Sequence, residues 1–167
     1  MYLIKIITML GIFFICLYIG NYKAKNYENR VIELNKFQNA LVMLKSKIEF
    51  THEPIKTIFE DISRIIYEDN NNIFEMTLNN TKDICGSWNN SINILKTNLN
   101  KEDKEVMRMF GKMLGKTDIK GQINEIELSM ELIKRQINNA EKEKEKNFKL
   151  YKTMGAVIGL GICIILA

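Results

Sequence analysis

The chain holds one proline, one histidine and one tryptophan in 167 residues. A single histidine, His52, cannot build a metal site without cysteine or carboxylate company at ligand spacing, and none is visible. It reads as a surface turn residue ahead of Pro54. The three cysteines, Cys16, Cys85 and Cys163, have no spacing that suggests a disulfide framework or a zinc site. No convincing apolar/polar alternation marks a strand. No basic run is interleaved with aromatics and the net charge of +4 is mild, so nucleic acid is not an expected partner. The acidic residues Glu28, Glu49, Asp61, Asp103 and Asp118 are scattered and do not pair into an acid/base site. The chain is therefore read as no enzyme, with no catalytic residues, no cofactor and no metal.

What is present is apolar sequence at both ends. "LIKIITMLGIFFICLYIG" (Leu3 to Gly20) carries no charge from Ile6 to Ile19, and about 20 apolar residues cross a bilayer. A cleaved signal peptide is disfavoured, because no small-x-small site follows and Lys23, Lys25 and Arg30 crowd the region just after. "MGAVIGLGICIILA" (Met154 to Ala167) is shorter, rising about 21 Å as a helix. Phe148 and Tyr151 stand before it as interfacial aromatics, and Lys149 and Lys152 can snorkel. Positive charge flanks the inner side of both segments: Lys23, Lys25 and Arg30 after the first, Lys142, Lys144, Lys146, Lys149 and Lys152 before the second. Positive loops stay in the cytoplasm. The expectation is a two-pass membrane hairpin: a transmembrane segment at 1–22, a cytoplasmic helical domain at 23–150 and a second transmembrane segment at 151–167. Gly155 and Gly159 lie four apart on one face of the second segment, where another helix can approach closely. The partner is either the first segment, through Gly11, or the same segment of a second copy, which makes a homo-oligomer an expectation. The plain alternative is that glycine is common in membrane helices.

The middle of the chain repeats its apolar residues at spacings of three and four, the mark of helix. Val31, Leu34, Phe37, Leu41, Leu44 and Ile48 form one face. After Pro54 come Ile55, Ile58, Phe59, Ile62, Ile65 and Ile66. A loop at Glu68 to Asn72 precedes a short helix at Ile73 to Leu78. Asn79 to Gly86 reads as another connection, followed by Trp88, Ile92 and Leu95. Asn100 caps a helix carrying Val106, Met109, Phe110, Met113 and Leu114. A heptad seam then runs through Ile119, Ile123, Ile126, Met130, Ile133, Ile137 and Ala140. With no glycine or proline from Gln122 to Met154, that helix is expected to continue into the second membrane segment. The fold class is all-α: an antiparallel helical bundle held between terminal transmembrane helices.

One stretch, "GKMLGKT" (Gly111 to Thr117), imitates a phosphate-binding loop. It leaves three residues between its glycines where four are needed, and a helix rather than a strand precedes it. The local reading is a corner: Gly115 ends one helix, Lys116 complements its negative end, and Thr117 or Asp118 begins the next. The longer stretch "FGKMLGKTDIKGQ" (Phe110 to Gln122) resembles the F-G-x-x-L-G-x-x-D-x-x-x-Q signature of the stage III sporulation protein AB family. The order of the remaining parts is similar too. An amino-terminal membrane segment is followed by a helix pair with Pro54 at the second start. Trp88 precedes the signature helix, and a long charged helix leads to a glycine-rich membrane segment.

The resemblance implies a protein of endospore-forming bacteria, sitting in the mother-cell membrane that faces the forespore. It implies a part in the channel-like complex that joins the two cells. The cytoplasmic domain would be similar to the inner-membrane platform protein of type II secretion. The implied partners are the other sporulation channel proteins, including a secretion-type ATPase. The signature residues Phe110, Gly111, Leu114, Gly115, Asp118 and Gln122 are then either a partner surface or a structural corner. A membrane-tethered scaffold of another secretion or envelope machinery is the rival reading from the residues alone.

Overall fold

The computed structural model of the chain describes residues 2–51, 53–67, 71–79, 83–114 and 118–166. The expectations for His52, Gly115, Lys116 and Thr117 lie outside the described residues. The elements are α1 (Tyr2–Phe50), α2 (Ile55–Ile66), α3 (Ile73–Leu78), α4 (Ile84–Ile94), α5 (Lys101–Met113) and α6 (Ile119–Leu166). No strand occurs among the described residues. The continuity of α6 into the second apolar segment is as expected. The same continuity at the other end was not read from the sequence: α1 is a single helix of 49 residues. Asn21 to Arg30 contains no glycine or proline to break it. The fold divides into two compact units, one formed by Met1–Val31 with Asn139–Ala167, the other by Ile32–Asn138.

The unit formed by Ile32–Asn138 is built around aromatic rings. Trp88 on α4 is fully buried, as are Phe37 from α1, Phe59 from α2 and Phe74 from α3. Ring centroids lie 5.3 Å from Trp88 to Phe74, 5.8 Å to Phe59, 6.1 Å to Phe37 and 5.2 Å to Phe110 of α5. Most of these contacts are tilted or edge-to-face, the arrangement the ring quadrupole favours. The face predicted on α1 is buried at Leu34, Phe37, Leu41, Leu44 and Ile48, joined by Ala40. On α2, Ile58, Phe59 and Ile62 are buried, but Ile65 is exposed. On α5 the expected Met109 is exposed, and Met107 takes its place in the core. The α6 seam is buried at Ile126, Ile133, Ile137 and Ala140, whereas Ile119 is exposed and Ser129 is buried.

Caps set the helix boundaries. Pro54 stands at the N-cap of α2, and the Asn72 side chain accepts from Phe74 N at the start of α3. Asn100 and Asp103 form a reciprocal capping box on α5. The connection expected over Asn79 to Gly86 is shorter than that, because Asp83 accepts from Cys85 N and Gly86 N and starts α4 at Ile84. The links are also tied down. Glu33 on α1 accepts from Thr97 Oγ1, Asn98 N at 3.1 Å and Asn98 Nδ2 at 2.9 Å. Burial, helped by the Glu33 charge, pushes the nearby Tyr67 phenol well above its ordinary range. Lys47 at the end of α1 donates to Asp61 on α2 and, at 3.2 Å, to Glu53. The bond from Lys47 holds the Asp61 carboxyl below the usual carboxylate range. These carboxylates are occupied in holding helices together.

Candidate functional site

The described residues of the signature stretch lie at the end of α5 and the start of α6. Phe110 is 3% exposed and Gly111 is buried, both within the last turns of α5. The Trp88 indole N–H donates to the Met107 carbonyl at 2.8 Å. This bond lays the indole directly over Gly111. A Cβ at that position would stand 2.1 Å from Trp88 Cδ1 and 2.7 Å from Nε1. The glycine is there because nothing larger fits under the ring. Gly111 to Met113 are helical, so this stretch does not form the open loop that cradles phosphate.

The remaining signature residues sit around the turn. Leu114 and Gln122 line a small depression with Ile48, Phe110, Met113, Glu125 and Ile126. Asp118 Oδ1 accepts from Gly121 N at 3.0 Å, and the Asp118 carbonyl accepts from Gln122 N at 2.9 Å. Asp118 is therefore the N-cap of α6. Phe110 and Gly111 are buried, whereas Leu114, Asp118 and Gln122 are partly or fully exposed.

The apolar ends meet in the other unit. Both terminal helices are long and apolar enough to cross a membrane, and only 6% and 11% of their most apolar windows are buried within the chain. Gly155 lies against Cys16 and Gly20 of α1: an added Cβ would be 2.8 Å from the Cys16 carbonyl oxygen and 3.2 Å from Gly20 Cα. Gly159 faces Phe13 and Cys16. Gly11, expected to supply the matching gap, meets nothing within 4 Å; Gly20 occupies that role. The Cys163 thiol donates to the Met9 carbonyl at 3.5 Å. The two segments thus run antiparallel, with α1 and α6 in contact.

Just beyond the apolar stretch, Tyr27 stacks on Tyr151 with centroids 5.8 Å apart. Arg30, read from sequence as part of the basic flank, is 5% exposed, and its Nη1 donates to Glu143 at 2.7 Å. Lys144 stands 3.8 Å from Glu28. Lys23, Lys25, Lys149 and Lys152 form no such pair among the described residues. The Arg30–Glu143 pair links α1 to α6, from a buried Arg30 to a half-exposed Glu143.

The chain has relatives among known proteins. A sequence model of the stage III sporulation protein AB family matches residues 5–167. The chain belongs to the stage III sporulation protein AB family. The Stage III sporulation protein AB of Bacillus subtilis (strain 168) is 26% identical over 169 residues, covering 96% of this chain and 99% of that protein. A solved structure of Stage III sporulation protein AB (SpoIIIAB) aligns with a TM-score of 0.64 at 21% identity, covering 71% of this chain and 98% of that one. At that identity the likeness speaks for the fold alone. Membership of the stage III sporulation protein AB family gives the chain a role in sporulation. Its two apolar helices point to a membrane location.

Proposed function

We propose that this protein is the membrane platform of the channel-like complex that joins mother cell and forespore, and that its central helical domain engages a secretion-type ATPase. The observation that carries the reading is the match of nearly the whole chain, residues 5–167, to one sporulation family. The protein acts as a scaffold, not as an enzyme. Its parts are a first membrane segment at 1–22, a cytoplasmic domain at 23–150 and a second membrane segment at 151–167. It sits in the mother-cell membrane facing the forespore. The scaffold reading is supported by Glu33, Asp61 and Asp103, whose carboxylates are engaged in holding helix ends and links. Crosslinked pull-down of the full chain from sporulating cells tests the assignment. Recovery of a secretion-type ATPase with other sporulation membrane proteins is the expected result; recovery of neither removes the platform reading.

Orientation is tested separately. Lys23 and Lys25 after the first segment, with Lys149 and Lys152 before the second, favour a cytoplasmic central domain. Single cysteines at the exposed positions Asn35 and Asn139, in a chain without its native cysteines, should resist a membrane-impermeant thiol reagent in intact cells. Rapid labelling of both would reverse the topology.

A further inference from the structure

We propose that the groove between α5 and α6 is a docking site for an amphipathic helix of a partner protein, apolar on one face, acidic on one flank and basic on the other. The groove has a volume of about 310 Å³. Its apolar surface comes from Met109 and Met113 on α5 and Leu128 and Leu132 on α6. Met109 is 45% exposed and Leu128 48% exposed, so the unit leaves an apolar floor open to water. The helix periodicity accounts for this. Met109 and Met113 lie four apart on α5, and Leu128 and Leu132 lie four apart on α6, so each pair forms one wall along the groove. Methionine adapts to varied partner surfaces.

The occupant is specified by charge. Lys112 lines the groove on the α5 side and Glu125 on the α6 side. Neither forms an ion pair among the described residues, although nearby charges do: Arg108 pairs with Glu105, Arg135 with Glu131, and Lys45 with Glu127. An apolar floor with a cation on one wall and an anion on the other suits a helix whose flanks carry the opposite charges. The walls also fix its direction, since turning the helix end for end exchanges its flanks. A helix laid into such a groove reads as apolar anchors three and four apart. The inference rests on the central domain being a docking module and names the surface it uses.

Three synthetic helical peptides with one Leu stripe test it against the full chain in zwitterionic nanodiscs. One carries glutamate on one flank and lysine on the other, one glutamate on both, one lysine on both. The mixed-flank peptide should bind at least tenfold more tightly than either of the others. Leu128→Asp should abolish that binding while the helical signal and unfolding midpoint of the chain are retained. Lys112→Glu should shift the preference to the peptide with lysine on both flanks. Equal binding of all three peptides, or unchanged binding to Leu128→Asp, would overturn the proposal. So would a dimer of the chain itself that dissociates on Leu128→Asp, which would make a second copy the occupant. If the peptides fail but the pull-down recovers the ATPase, the platform reading stands and only the groove is lost.

Discussion

Gly111→Ala should destabilise the helical unit by at least about 3 kcal/mol, the top of the range usual for overpacking. The added methyl would sit 2.1 Å from Trp88 Cδ1 and 2.8 Å from Cγ, far inside van der Waals contact. The indole has nowhere to go. It is fully buried, packed at 5.2–6.1 Å from four aromatic rings, and its N–H is committed to the Met107 carbonyl. Relief requires losing that hydrogen bond, which strands a buried donor, or moving α5 away from α4. Trp88 is the only tryptophan in the chain, so its fluorescence reports the change directly. Denaturant unfolding of the full chain in detergent, followed by fluorescence and circular dichroism, measures the cost. The same substitution in a Trp88→Phe background should cost less than half as much, because the clashing atoms are gone. A Gly111→Ala variant as stable as the parent, with an unshifted emission maximum, would show that the tryptophan does not rest on this glycine.

This contact also shows where sequence reasoning stops. The helices of the central unit were legible because their buried residues recur at spacings of three and four, and because Asn100 is a local capping residue. The signature Phe-Gly could be recognised but not explained, since its partner Trp88 lies on another helix and nothing local links the two. Met107 and Met109 are the same residue type two positions apart, so composition could not say which faced inward. The start of α4 was missed because Asp83 after a polar run looks like a turn, and only its bonds to Cys85 N and Gly86 N reveal a cap. Arg30 was counted as membrane-flanking charge because a sequence shows its position and not Glu143 beside it. The groove charges Lys112 and Glu125 were invisible for the same reason: sharing a groove is a property of the surroundings.

Gly155→Leu should separate the two apolar helices, and it should do so more severely than the same change at Gly159. At Gly155 the new side chain meets backbone: the Cys16 carbonyl oxygen at 2.8 Å and Gly20 Cα at 3.2 Å. Backbone inside a helix cannot rotate away, so the helices must move apart and lose close packing, a main source of their affinity in lipid. At Gly159 the nearest atom is Phe13 Cδ2, at 2.8 Å, on a side chain that can turn. Gly161 and Gly11 meet nothing within 4 Å, so leucine at either place serves as a control of equal hydrophobicity. The Cys163 thiol lies 3.5 Å from the Met9 carbonyl, which gives the readout. In a chain with Met9→Cys and with Cys16 and Cys85 replaced by alanine, mild oxidation should consume the free thiols without producing a dimer band. Gly155→Leu should leave most of the thiols free, Gly159→Leu an intermediate share, and Gly161→Leu almost none. Membrane insertion should be unchanged in all three, because each variant keeps the segment apolar. A covalent dimer in place of the intramolecular bridge would mean that the glycines pack between copies. Thiol consumption unaffected by Gly155→Leu would mean that they are not a packing face at all.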